Sequence, residues 1–214
     1  MKQHEHEVSR TLPLAEVPAE VADEYSVDRL LGIVTAADAV ESEWLNHLSQ
    51  LEYIGCRKIL KAVPFGEVDV LTLQHIHEEA GHAFLLKQLA VDLAPQSEGW
   101  TQSRFCSVGW KYFSELDAEV CALLPSNELA YPLVSFIVEE RVMRLYPAYR
   151  RITQRAAVKA VLKIILAQEG RHETRFERWV LAKLPGDIID RSRAIEVKKW
   201  NEFALAIERA SALV

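Results

Sequence analysis

The sequence predicts an all-α protein, and three observations carry that expectation. Long stretches repeat apolar residues with a helical period. The 8 glycines and 8 prolines fall mostly between those stretches. No train of short alternating segments marks a sandwich or barrel. At 214 residues the chain is long enough for one sizeable core.

Residues 1–25 are polar, contain Pro13 and Pro18, and read as an N-terminal arm; residues 26–214 read as the helical domain. From about Ser26, with Ser26 or Asp28 as the cap, Ile33, Ala37, Val40, Trp44, Leu48, Leu51, Gly55 and Ile59 recur on one face. This pattern predicts one helix of about 35 residues, roughly 50 Å long. Pro64 and Gly66 stop it, and Asp69 caps a second helix running to about Asp92. The short link makes the two an antiparallel hairpin. After a loop at Pro95–Gly99, Phe105–Leu124 reads as a crossover helix stopped by Pro125 and Ser126. The next helix begins between Asn127 and Pro132 and is expected to end before Pro147, because proline is tolerated in a first turn but not inside. From about Arg151 a long helix carries Val158, Val161, Leu162, Ile165, Phe176 and Val180 as far as Pro185 and Gly186. A C-terminal amphipathic helix with Ile195, Trp200, Phe203, Ile207 and Ala210 on one side closes the chain.

Composition narrows the partners. A net charge of −6 argues against a chain whose task is to neutralise nucleic-acid phosphates. No window reaches the length of uncharged apolar residues that a membrane span needs, and the N-terminus lacks the basic and apolar regions of a signal peptide. Cys56, Cys106 and Cys121 are an odd number without motif spacing, which suggests neither a disulfide framework nor a zinc site. The expectation is a cytoplasmic protein with neither nucleic acid nor membrane as partner.

Two segments stand out, His75-Ile76-His77-Glu78-Glu79-Ala80-Gly81-His82 and Gln168-Glu169-Gly170-Arg171-His172. Each carries Glu-x-x-His inside a predicted long helix, as Glu79/His82 and Glu169/His172. Residues three apart share a helix face, so a carboxylate and an imidazole there can bind one metal ion together. A two-metal carboxylate site needs a further acid from each of two more helices. In the first helix Glu41, Glu43 and Glu52 compete. Glu52 falls in the middle of the stripe of Leu48, Leu51, Gly55 and Ile59, whereas Glu43 lies nearly opposite it. Glu52 is about 12 residues before Pro64 and Glu79 about 15 after it, which puts them at one level of the hairpin. Glu41 shares the face but sits about three turns away and is the second choice. In the helix before Pro147 the adjacent Glu139 and Glu140 compete, and Glu140 is preferred because it shares its sector with Leu133, Phe136, Ile137 and Met143. The level argument works less well there, with Glu140 about 7 residues before Pro147 and Glu169 about 22 after it. His75 lies one turn before Glu79 on the same face, either as a further ligand or as a hydrogen-bond partner behind one. The bland alternative for all these groups is a set of ion pairs in a metal-free helical scaffold.

The order Glu52, Glu79-x-x-His82, Glu140, Glu169-x-x-His172 resembles the ferritin-like di-iron carboxylate superfamily, over about residues 28–183. The resemblance implies a four-helix bundle with an additional crossover helix and a C-terminal helix. It also implies two iron ions, or manganese or a mixed iron/manganese pair, bridged by Glu79 and Glu169. The implied chemistry is O₂ activation by an oxidase or oxygenase acting on a small organic substrate, with an electron-donor protein and a homodimer among the partners that would fit. The other function it allows is ferritin-like iron binding, as a ferroxidase or store. The long stretch between His82 and Glu140 looks more like the oxygenases and oxidases. The run from Pro147 to Gln168-Glu169-Gly170-Arg171-His172 is also similar to a segment of p-aminobenzoate N-oxygenase-like proteins. The position of that family's additional histidine, one turn before the motif, is Ile165 here, and this chain is shorter.

Overall fold

The structure is a computed structural model and describes residues 24–95, 99–126 and 129–212. Its regular elements are all helical: α1 (Val27–Val34), α2 (Asp38–Ala62), α3 (Val70–Leu93), α4 (Cys106–Cys121), α5 (Ala130–Ile152), α6 (Ala156–Lys183) and α7 (Gly186–Ser211), with a 3-10 turn at Phe65–Glu67 between α2 and α3. Of the expected N-terminal arm only Glu24 and Tyr25 belong to the described residues, and both are tied down. Tyr25 donates its N–H to Asn201 and accepts from the Trp200 indole at its carbonyl, while Glu24 pairs with Arg141.

Local signals account for several boundaries. Ser26 caps α1 by accepting from the Arg29 amide, and Asp69 caps α3 by accepting from Thr72 at 2.7 Å. Two expectations are corrected. The long first helix is two helices, because α1 ends at Thr35 and Ala37 is extended. The Thr35 hydroxyl bonds back to the Leu31 carbonyl, and Asp38 and Glu41 place acids in the first turn of α2, where the positive helix end favours them. The break lets α1 bury Leu30, Leu31 and Val34 against α5 and α7. The second correction is at Pro147, which lies inside α5. An interior proline costs about 3 kcal/mol, but the flanking Leu145, Tyr146, Ala148 and Tyr149 are all buried. Burying side chains of that size returns roughly 1.5 to 3 kcal/mol for each large one, so packing carries the helix past the proline.

Two antiparallel hairpins, α2 with α3 and α5 with α6, form the body of the bundle, and α3 also touches α6. Helix α4 pairs with α7, and both also lean on α5. Helix α2 is buried along most of its length and carries small polar residues where α3 comes close. Ser42 and Ser49 donate to the carbonyls of Ala90 and Ala83 across that contact. No helix of the described residues is long and apolar enough to cross a membrane.

Candidate metal centre

Halfway along the two hairpins, the buried faces of α2, α3, α5 and α6 bring seven ionisable side chains together. Glu52, Glu79, His82 and Glu169 form one group whose ligand atoms all lie within 4.8 Å of one another. His75, Glu79, Glu139 and His172 form a second of the same tightness, and Glu79 belongs to both. All seven residues are buried. Glu79 has room at the centre because residue 55 of α2 is glycine: a Cβ there would stand 2.5 Å from Glu79 Oε2.

Both histidines of the Glu-x-x-His motifs present Nδ1 to the carboxylates. His172 Nδ1 is 2.8 Å from Glu169 Oε2 and 3.6 Å from Glu79. His82 Nδ1 is 2.9 Å from Glu169 and 3.4 Å from Glu52, at angles that make no hydrogen bond. The opposite ring nitrogens are held from behind by the other motif. His82 Nε2 on α3 is 2.6 Å from Gln168 Oε1 on α6, and His172 Nε2 on α6 is 2.7 Å from Glu78 Oε2 on α3. A proton on each Nε2 satisfies these bonds and leaves each Nδ1 lone pair facing the acids, the tautomer a metal-binding imidazole needs. Glu78 is in turn anchored by Gln74 and Arg171, at 2.9 and 2.7 Å. Burial alone would raise its carboxyl, but Gln74, His172 and Arg171 hold it below the usual carboxylate range.

The electrostatics are those of a crowded anionic site. Burial, together with the neighbouring carboxylates, pushes Glu79 and Glu139 well above the usual range. Burial opposes the charge of Glu169 as well, yet the His172 and His82 rings beside it hold it low. His82 is disfavoured as a cation by burial, but Glu169 and Glu52 push it up to about 11. His75 sits 3.2 Å from Glu79 with its ring 3.9 Å from that of His172, and burial pushes it down to about 3. Among the described residues no Lys or Arg pairs with Glu52, Glu79, Glu139 or Glu169. Four buried carboxylates without a Lys or Arg partner, and with only the His82 ring favoured as a cation beside them, are costly unless protons or metal ions neutralise them. Two divalent cations would balance them, and three neutral imidazoles complete a mixed oxygen and nitrogen donor set.

Of the sequence candidates, Glu52, Glu79, His82, Glu169, His172 and the less favoured His75 and Glu139 come together. Glu140 does not: its carboxylate points away to Arg193, at 2.6 and 3.0 Å. Glu140 does share the sector of Phe136, but that sector meets Arg193 of α7, whereas Glu139 lies about 100° round the helix on the face of Tyr146, which reaches Glu52. Because α5 runs on past Pro147, the levels agree as well. With the turn at Thr153–Arg155, Glu139 and Glu169 each stand about 15 residues from Gln154 and so at one level of the hairpin. Glu41 does not join either, being held near the α5–α6 turn by Tyr149, Thr153 and Arg155. Glu43 is clamped by Arg104.

Three contributors escaped the sequence reading. Glu78 and Gln168 each precede the glutamate of one motif and brace the histidine of the other, so a polar residue just before both motif glutamates was the available signal. Tyr146, whose hydroxyl donates to Glu52, gave none, because it stands at the expected end of its helix, next to Pro147. Comparison with protein-family models, curated proteins and solved structures gives no match.

Proposed function

We propose that the chain is a ferritin-like di-iron carboxylate protein that uses O₂ to oxidise a small organic substrate. The observation that carries this reading is the buried pair of overlapping four-donor groups, with four carboxylates, three imidazoles and, among the described residues, no Lys or Arg partner. Glu52 and His82 would hold one ion and Glu139, His172 and His75 the other, with Glu79 and Glu169 between them. Two ferrous ions bound by these residues would supply the electrons that O₂ reduction needs, and manganese in place of one or both would suit the same donors. The chain's own residues do the rest. Glu78 and Gln168 fix the imidazoles, Tyr146 donates a hydrogen bond to Glu52, and the buried faces of the four helices keep bulk water from the donors. An apolar cavity beside the carboxylates, lined in part by α4 and α7, favours an organic substrate over Fe²⁺ as the species oxidised.

Anaerobic loading with Fe²⁺, desalting and elemental analysis test the reading. The expected content is about two ions per chain. A content near zero overturns it in favour of an ion-paired scaffold, and uptake of many ions per chain on exposure to air overturns it in favour of iron storage.

A further inference from the structure

The cavity beside the centre has a chemistry of its own. Glu52, Glu79, Glu139, Glu169 and His75 reach its wall, whereas His82 and His172 do not. The cavity therefore opens on the carboxylate side of the centre, away from the braced imidazoles. Its volume is about 100 Å³. Apolar cavities on that scale take up a single small ring or a short branched chain.

Away from the carboxylates the wall is largely apolar, formed by residues such as Leu48, Val138, Val142, Phe113, Trp200 and Phe203. Each cation on this wall is already matched. Lys58 Nζ lies 2.6 Å from Asp117 and 5.1 Å above the Phe113 ring. Arg141 makes two bonds to Glu196, at 2.8 and 2.7 Å, pairs with Glu24, and stacks 4.5 Å over Trp200. Tyr112 spends its hydroxyl on the same Glu196. An anion brought into this space would lose its hydration, face the carboxylates of the wall and find no free cation, which is among the costliest arrangements in a protein interior.

We infer that the cavity rejects anions and holds an apolar molecule about the size of one six-membered ring against the carboxylate side of the centre. That this molecule is the substrate rests on the di-iron reading above; the binding preference itself does not. Size is limited by the aromatic side chains of α4 and α7, and negative charge by the carboxylates of the wall together with the closed pairs Lys58–Asp117 and Arg141–Glu196, which leave no free cation.

The test compares benzene with benzoate at neutral pH on the metal-free protein, and repeats the benzene titration on the iron-loaded protein. Binding is read from tryptophan fluorescence, since Trp44 and Trp200 line the cavity, and metal content is measured on the same samples. Saturable binding of benzene is expected, with benzoate at least about 100-fold weaker. Val138→Phe, which fills the wall, should abolish benzene binding, and the milder Val142→Leu should weaken it if the first variant does not fold. Benzoate binding to the metal-free protein as tightly as benzene overturns the inference, as does the absence of saturable benzene binding in both forms of the protein. If benzene binds and the iron content is near zero, the cavity assignment stands and the di-iron reading falls.

Discussion

Gly55→Ala separates the centre from the fold. The added Cβ would stand 2.5 Å from Glu79 Oε2 and 3.5 Å from its carboxyl carbon, and no other atom comes within 4 Å. An ordinary contact between such atoms is about 3.5 Å or more, so the carboxylate must retreat by roughly 1 Å. Glu79 ends in a flexible side chain, and the fold can absorb that retreat. A metal site cannot, because ligand distances hold to about 0.2 Å. Glu79 belongs to both donor groups, so both positions should suffer. The helix itself prefers the change, since alanine is favoured over glycine in a helix interior by about 0.8 to 1 kcal/mol. In a chain of this size that corresponds to a rise of roughly 2 to 4 °C in Tm. The expected outcome is a metal-free protein at least as stable as wild type by calorimetry, together with a loss of about 100-fold or more in Fe²⁺ affinity. Retention of two ions at unchanged affinity would refute the central position of Glu79; a collapse of the metal-free protein would refute the claim that the clash is confined to its carboxylate.

Three further outcomes follow from the same structure. Glu139→Ala should empty at least one metal position, whereas Glu140→Ala should leave loading intact and cost no more than about 1 kcal/mol, since its partner Arg193 is substantially exposed; elemental analysis and denaturant titration read the two effects. Glu78→Ala and Gln168→Ala each remove the brace behind one imidazole and should lower metal affinity about 10 to 100-fold without removing a donor, measured by competition with a chelator. Away from the centre, His47 is fully buried between Trp44, Phe105 and Phe203, neither ring nitrogen has a hydrogen-bond partner, and burial pushes its pKa down to about 3. The unfolded chain binds the proton first as pH falls, so the stability His47 contributes is present above about pH 6.5 and is lost progressively toward pH 3. At pH 5 the loss is about 2 kcal/mol. His47→Leu should flatten the acid limb of a stability–pH profile by that amount, and an unchanged slope would show that His47 does not titrate with folding.

Much of the all-helical architecture was legible along the chain, because helical periodicity and caps are local properties. Asp69, Pro64 with Gly66, and Pro185 mark boundaries through their own backbone and side-chain chemistry, and the structure keeps all three. The two Glu-x-x-His motifs and Glu52 could be placed on inward faces by phase and level alone, since three-residue spacing and distance from a turn are readable without a partner helix. Tertiary structure decided the rest. Whether a helix ends at Pro147 is a competition between one lost backbone bond and the burial of Tyr146, Tyr149 and their neighbours, and the sequence shows only the first side of it. The choice between Glu139 and Glu140 depended on what each face of α5 meets, Arg193 of α7 for Glu140 and the other acids of the centre for Glu139, since adjacent residues differ far more in direction than in level. The exchange of braces between the motifs, Gln168 to His82 and Glu78 to His172, is a relation between helices that meet only after folding. So is the pairing of Lys58 and Arg141 with their acids, which leaves a wall containing two cations with neither of them free.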